Sequence, residues 1–321
     1  MGKKGIISAL GATVGLIGAV DYTIFNAVMS RNSKLVEKAG SFLNKKPGDA
    51  VELPPEDEDE RIIWFKEQQF ENYTLLNERG QTLKGYLLKA DKPSDVYVFC
   101  SHGYRCNGRR EFRFITKYYH DRGFNVFLVD HQASGESEGS YIGFGYYEYQ
   151  DCLEWLNFLL REFGEDIQII LHGVSMGSAT VMMMSGSDKL PENVKFTVAD
   201  CGYTSAWHEF EHNISFLGKA EYIILYGSDI FNKLISGYHF KDADALAAVQ
   251  RAKLPMLFVH GTKDDFVPTR MGKELYMACS SDYKDLLLVE GASHAESYQT
   301  NSEAYNQKLD EFIEKFIELD K

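Results

Sequence analysis

Short apolar runs alternate with longer amphipathic segments through most of this chain. The runs VYVFC, FNVFLVD, IQIILHG, VKFTVAD, MLFVHG and DLLLVEG are each followed by turn residues or a helical pattern. Strands this apolar belong in a parallel sheet that helices cover on both faces. Ligands of such sheets bind beyond the carboxyl ends of the strands, so catalytic residues are expected at those ends.

The remaining pattern predicts a hairpin, several helices and one insertion. Two strands around Arg79 and Gly80 predict a hairpin at the edge of the sheet. Helices are predicted over residues 109–122, 146–163, 176–185, 269–279 and 302–319. The aromatic-rich stretch 204–247 is too long for a simple connection and predicts a helical cap over the sheet edge.

The composition excludes some partners. The 321 residues carry a net charge of −13, which disfavours nucleic acid and repels an anionic membrane surface. The five cysteines have no zinc-ligand spacing and are interpreted as buried reduced thiols. Neither a metal nor a cofactor is expected.

Residues 1–30 form a hydrophobic segment with three alternative interpretations. After Lys3 and Lys4, residues 5–20 carry no charge, which suits a membrane anchor, a cleaved signal peptide or a helix packed on the body. Membrane association through residues 1–29 is the favoured interpretation, and the charges leave its orientation open. Residues 31–61, with prolines and an acidic run, are predicted to form a tether, or alternatively a loop on the surface.

Ser175 is the candidate nucleophile. It lies in GVSMG, between a predicted strand and a predicted helix, where Gly173 and Gly177 permit the sharp turn that exposes a serine hydroxyl. The alternative is a helix-capping serine in a turn of small residues. A nucleophilic serine needs a base, an orienting acid and an oxyanion hole.

The base and its acid are expected after the last two strands. His294 follows the last strand, and Asp264 follows the strand before it, giving the chain order serine, acid, base. Asp264 is preferred to Asp265 because it is nearer the strand end. Asp200, at the end of another strand, is the third candidate for the acid.

The backbone N–H groups of Met176 and Tyr104 are the candidates for the oxyanion hole. Met176 follows the nucleophile, and Tyr104 lies in the loop HGYRC after an earlier strand. His102 is expected to organise that loop by hydrogen bonding and not to act as a second base.

In combination, HGY, DHQASGESEG, GVSMG and HGTKDDFVP before a histidine resemble the α/β-hydrolase superfamily, in particular bacterial serine hydrolases, over about residues 65–319. DHQASGESEG departs from the arginine and glycine that usually follow the aspartate. The resemblance implies an α/β-hydrolase domain over residues 62–321, with a mostly parallel sheet and a cap, acting through an acyl-enzyme without a cofactor.

The function expected from this resemblance is cleavage of small carboxylic esters, with short to medium acyl chains preferred. The alternatives are a serine peptidase or amidase of the same fold, or a non-catalytic binding protein that keeps the hydrolase fold. The expected location is membrane-anchored or exported in a bacterium, with the cytoplasm as the alternative. The oligomeric state is left open.

Overall fold

The computed structural model describes residues 17–33, 55–56 and 59–319. Its centre is an eight-stranded sheet in the order β1-β2-β4-β3-β5-β6-β7-β8. The strands are β1 Glu71–Leu76, β2 Thr82–Leu88, β3 Val96–Ser101, β4 Asn125–Asp130, β5 Gln168–Val174, β6 Val194–Asp200, β7 Met256–Gly261 and β8 Lys284–Val289. Strands β1 and β2 form the predicted hairpin and pair antiparallel, as do β2 and β4, and all other pairs are parallel.

Helices cover both faces of the sheet, as the apolar strands predict. They are α1 over 17–29, α2 Glu60–Glu67, α3 Gly108–Phe112, α4 Thr116–Asp121, α5 Tyr146–Phe163, α6 Met176–Ser185, α7 Ala206–Ile214, α8 Ala220–Ser236, α9 Ala245–Val249, α10 Thr269–Ala278, α11 Ser297–Thr300 and α12 Ser302–Phe316. Alternate residues of each strand point to opposite faces. Val98 and Val126 thus pack with α3, α4 and α12, whereas Phe99 and Phe127 pack with α5 and α6.

The predicted helix over 109–122 is wrong in one respect, because the structure divides it into α3 and α4. Phe112 and Phe114 are both buried. One continuous helix would place residues two apart about 200° from each other around its axis. The break between α3 and α4 lets both rings reach the core.

Residues 17–29 pack on the body, which is the third of the predicted alternatives for this segment. Phe25 and Met29 are buried, and the carbonyl of Met29 accepts a hydrogen bond from the N–H of Ile142 at 2.8 Å. Over the stretch that the structure describes, no helix combines the length and the apolar character that crossing a bilayer requires. The predicted anchor is not supported by these residues, and residues 1–16 lie outside the described part of the chain.

The predicted tether also lies largely outside the described residues, which omit 34–54 and 57–58. Its two ends are attached to the body. Arg31 donates from its backbone N–H to the carbonyl of Ser140 at 2.9 Å. At the other end, α2 begins at Glu60, before the hydrolase-like pattern of the sequence, and buries Ile62 and Phe65.

At the junction of β5 and α6, backbone segments approach one another closely near the strand ends. A Cβ atom built on Gly177 would lie 1.8 Å from the carbonyl oxygen of Ser101, at the end of β3. A Cβ atom on Gly173 would lie 2.2 Å from the carbonyl oxygen of Gly177. Both contacts are with backbone, which cannot move aside as a side chain can. Glycine is therefore required at both positions by the approach of β3, β5 and α6.

We expect Gly177→Ala to lower the free energy of unfolding by about 3 kcal/mol or more, because the methyl group must displace the end of β3. Urea-induced unfolding followed by circular dichroism measures this change. The control is Gly18→Ala in α1, where no atom lies within 4 Å of the added Cβ. A loss at Gly177 no larger than at Gly18 would contradict the packing argument.

Candidate active site

Ser175 occupies the turn between β5 and α6 in a backbone conformation that serine rarely adopts. Its φ is 55° and its ψ is −117°. A positive φ in a residue with a side chain is strained and persists only where the surroundings impose it. Here the N–H of Ser175 donates to the carbonyl of Asp200 on β6 at 2.9 Å. The strained turn directs the hydroxyl away from the sheet toward His294.

The structure brings Ser175, His294 and Asp264 into one hydrogen-bonded chain. Oγ of Ser175 lies 2.8 Å from Nε2 of His294, and Nδ1 of His294 lies 2.8 Å from Oδ2 of Asp264. A carboxylate only accepts, so Nδ1 carries the proton and Nε2 is free to accept from the serine hydroxyl. This arrangement matches the roles of nucleophile, base and orienting acid.

Asp264 is held in the first turn after β7 by the backbone. Its Oδ1 accepts the N–H groups of Phe266 at 3.1 Å and Val267 at 2.9 Å. A second histidine, His260 of β7, has its Nε2 3.4 Å from Oδ2 and also contacts the carbonyl of Val267 at 2.8 Å. The sequence pattern did not predict a role for His260.

The charges of this pair reinforce each other. Burial by itself would raise the pKa of Asp264, but the charge of His294 and the hydrogen bonds from His260 and His294 outweigh it and hold that pKa below its ordinary value. Burial would likewise lower the pKa of His294, and the carboxylate of Asp264 outweighs it and holds that pKa well above the ordinary value. The carboxylate therefore stabilises the imidazolium that forms when His294 takes a proton.

The other two candidate acids lie elsewhere. Asp265 is exposed, and its carbonyl accepts a hydrogen bond from His212 at 3.0 Å. The Asp200 carboxyl accepts from the hydroxyl of Tyr305 at 3.1 Å. Burial raises the pKa of Asp200 to about 7, against the opposing charge of His260. Of the three carboxyls, the structure places only Asp264 at hydrogen-bonding distance from His294.

The two candidate oxyanion donors lie on either side of Ser175. Met176 begins α6, so its N–H is one of those that a helix leaves without an internal partner. On the other side, a Cβ atom built on Gly103 would lie 3.3 Å from the Cβ of Ser175. The N–H of Gly103 is engaged by Glu111 at 3.0 Å, which leaves Tyr104 as the next donor in the loop. The role of both N–H groups stays a prediction.

His102 organises the loop that carries Tyr104. Its Nε2 accepts the N–H of His131 at 3.0 Å, so Nδ1 carries the proton that contacts the carbonyl of Gly103 at 2.7 Å. Burial lowers the pKa of His102, which keeps the ring neutral. These contacts agree with the structural role expected from the sequence.

The N-terminal helix braces the same loop. The hydroxyl of Tyr104 donates to the carbonyl of Val28 at 2.6 Å. The guanidinium of Arg105 reaches the carbonyls of Ala27 at 2.9 Å and Ser30 at 2.7 Å, at the carboxyl end of α1. A cation is favourable at that end of a helix. No sequence pattern predicts this connection, because it joins segments more than 70 residues apart.

Aromatic rings pack beside Tyr104 and beside His294. The rings of Tyr104 and Phe144 are 4.9 Å apart, and those of Phe144 and Phe210 are 4.5 Å apart, measured between centroids. Phe266 lies 4.9 Å from the ring of His294. Phe210 belongs to α7, so the predicted insertion contributes to these apolar surroundings.

Glu209 is a buried acid near the triad that the sequence analysis missed. Its Oε1 accepts from the amide of Asn213 at 2.8 Å, and that amide also reaches the carbonyl of Phe266 at 3.3 Å. Oε2 is buried without a hydrogen-bond partner among the described residues. Burial raises the pKa of Glu209 to about 8, against the opposing charge of His294. An acid next to Phe210 in the aromatic-rich insertion was the available signal.

Cys201, Asp264 and His294 are the group of described residues whose donor atoms could hold a metal ion, since these atoms lie within 4.8 Å of one another. Asp264 and His294 already bind each other. A metal ion here would therefore compete with the acid–base pair.

The sequence profile of the prolyl oligopeptidase family matches residues 110–320. The chain is 25% identical over 317 residues to the uncharacterized protein YqkD of Bacillus subtilis, covering 97% of each chain.

Two solved structures share the fold. An esterase of Pyrococcus furiosus, Pf2001, superposes with a TM-score of 0.65 at 20% identity, covering 84% of this chain and 99% of the esterase. An acylaminoacyl peptidase of Pyrococcus horikoshii superposes with a TM-score of 0.58 at 16% identity, covering 81% of this chain and 44% of the peptidase. These matches confirm the α/β-hydrolase fold predicted from the sequence.

A fluorophosphonate probe is expected to label Ser175, and Ser175→Ala to abolish labelling and lower turnover by about three orders of magnitude or more. Mass spectrometry of the labelled peptide identifies the serine. The matched control is Ser178→Ala, three residues further along α6, whose buried hydroxyl has no hydrogen-bond partner among the described residues. Label on another serine of the intact protein would refute the assignment.

Asp264→Asn is expected to lower kcat by about three to four orders of magnitude, because an amide no longer fixes the tautomer of His294. The base acts only when His294 is neutral, so activity rises with pH through the pKa of His294. That pKa is raised by Asp264, so the acid limb of kcat/KM should lie above about pH 6.5 and move to lower pH in the variant. The pH profile of the residual activity measures the shift.

Asp265→Asn serves as the control, because the exposed neighbour does not contact His294. Its rate and its pH profile should stay close to those of the unmodified protein. Equal losses in the two variants, or a larger loss in Asp200→Asn, would show that another carboxyl orients the base.

Proposed function

Because the chain belongs to the prolyl oligopeptidase family, we propose that it is a serine hydrolase that cleaves carboxylic esters through an acyl-enzyme. The family and the fold make the protein a hydrolase of the α/β class. The observation that carries the serine mechanism is the hydrogen-bonded chain of Ser175, His294 and Asp264.

Acylation begins at Oγ of Ser175. As Oγ attacks the ester carbonyl carbon, its proton passes to Nε2 of His294, while the Nδ1–H of His294 keeps donating its hydrogen bond to Asp264. The carbonyl oxygen becomes an oxyanion that the N–H groups of Tyr104 and Met176 stabilise. When the tetrahedral intermediate collapses, the C–O bond to the alcohol breaks, and His294 returns the proton to the departing oxygen.

Deacylation repeats these steps with water as the nucleophile. His294 takes a proton from water, the hydroxide attacks the acyl carbon, and the same two N–H groups hold the second oxyanion. Collapse breaks the bond to Oγ, and His294 returns the proton to Ser175. The carboxylic acid leaves, and all residues are in their starting forms.

The aromatic surroundings support short to medium acyl groups as substrates. Tyr104, Phe144, Phe210 and Phe266 offer rings and few charges to a bound chain. Each methylene buried against such rings contributes about 0.8 kcal/mol, so specificity climbs with acyl length until the space is filled. Cleavage of small esters is the function we infer.

The second candidate is a serine peptidase or amidase, which the name of the family favours. The esterase is covered almost completely by this chain and the acylaminoacyl peptidase by less than half, which supports esters as the first choice. A non-catalytic binding protein is the remaining alternative. A binding role alone gives no reason to hold Ser175 in a strained conformation beside a polarised histidine.

We expect kcat/KM on p-nitrophenyl esters to rise from acetate to a maximum at short or medium acyl length and then to fall. Peptide p-nitroanilides assayed in parallel should be cleaved far more slowly. Faster cleavage of the anilides would favour the peptidase, and the absence of turnover on both series together with no labelling of Ser175 would favour the binding protein.

Phe210→Ala should move the maximum to longer acyl chains, because removing the ring enlarges the space beside Phe144. The control is Phe216→Ala, which removes a ring from the same insertion at a position that is 76% exposed. A profile that Phe210→Ala leaves unchanged would show that this ring does not limit the acyl site.

A further inference from the structure

Helix α8 buries polar side chains and exposes apolar ones. Its buried residues are Leu225, Ser228, Asp229 and Asn232. Its exposed large side chains are Tyr222, Ile223, Tyr226, Ile230, Leu234 and Ile235. Four of these follow one another at intervals of four residues and therefore form a stripe along one side of the helix. A helix that faces water normally has the opposite arrangement.

Hydrogen bonds hold α8 in this orientation. The carboxylate of Asp229 accepts the N–H of Phe240 at 2.7 Å and contacts Nδ1 of His239 at 2.8 Å. The amide of Asn232 donates to the carbonyl of Tyr238 at 2.8 Å. Rotating the helix to hide the apolar stripe would break these bonds and leave buried polar groups without partners.

The stripe continues onto neighbouring segments. Beside α8, the ring of Tyr22 in α1 lies 5.5 Å from that of Phe231, and a Cβ atom on Gly227 would meet the carboxyl of Asp21. We call the combined area the apolar surface. It consists of Ile17, Val20, Tyr22, Phe216, Leu217, Tyr222, Ile223, Tyr226, Ile230, Leu234 and Ile235. These are eleven of the sixteen exposed large hydrophobic side chains in the described part of the chain.

We propose that the apolar surface lies in the interface of a lipid bilayer, with α8 and α1 resting on the membrane. Residues 5–20 carry no charge and are preceded by Lys3 and Lys4, and this stretch joins the described chain at Ile17, within the surface. The uncharged residues 5–20 run directly into the apolar surface at Ile17, and the same bilayer interface suits both. Tyrosines at positions 22, 222 and 226 suit the headgroup level, where amphipathic rings accumulate.

The charges around the surface agree with this environment. Asp21 and Asp229 are turned inward and buried, whereas Glu221, beside Tyr222, is half-buried. Lys219, which precedes α8, and Lys233 within α8 are exposed and can reach lipid phosphates. The contact differs from a membrane span, because the helices lie on the bilayer and only one side of each enters it.

The test is sedimentation of the full chain with phosphatidylcholine vesicles, which carry no net charge to repel a protein of charge −13. Ile230→Glu with Leu234→Glu should weaken the partition coefficient at least tenfold. The matched control is Leu76→Glu with Met277→Glu, which adds the same charges at side chains that are exposed to a similar degree outside the apolar surface. Hydrolysis of a soluble ester without vesicles should be the same in both double variants, which shows that they are folded.

Three outcomes would overturn the proposal. If the unmodified protein stays in the supernatant, the surface does not bind lipid. If Ile230→Glu with Leu234→Glu sediments as well as the unmodified protein, residues 1–16 bind the vesicles without α8. If light scattering shows a dimer that this double variant converts to a monomer and no vesicle binding is seen, a second copy of the chain covers the surface.

Discussion

The active site depends on a backbone strain at Ser175 that the surrounding sheet imposes. The positive φ of this serine is maintained by its hydrogen bond to β6 and by the contact of Gly177 with the end of β3. Because three adjacent strands fix one turn, the hydroxyl has little freedom to leave His294. The packing at the centre of the sheet therefore fixes the position of one oxygen atom, Oγ of Ser175.

Much of this arrangement could be predicted from the sequence, because it depends on local patterns and one topological rule. The bounds predicted for α5 and α6 agree with the structure, since α5 has a clear helical period and both helices end at a glycine. Choosing Asp264 used the rule that parallel strands end on the same side of the sheet, together with its position nearest the end of the strand that precedes the one before His294. The geometry agrees with that choice, and the catalytic roles themselves await the labelling and pH experiments.

The features that the sequence did not predict are produced by contacts between distant segments. The division between α3 and α4 follows from two rings that must reach the same core. The burial of Glu209 depends on how α7 packs over the loop after β7. The sequence shows that α8 is rich in apolar residues, but it does not show which side of the helix faces inward. The hydrogen bonds of Asp229 and Asn232 turn the polar side inward.

The bonds from Arg105 to the end of α1 have a consequence for chain length. All the carbonyls that Arg105 binds among the described residues belong to residues 27–31. A protein shortened past this point would keep its triad and lose the support of the loop that carries Tyr104. Oxyanion stabilisation requires donors that are already in place before the reaction. If Tyr104 holds the oxyanion as proposed, the N-terminal helix helps to lower the reaction barrier through the backbone carbonyls that brace this loop.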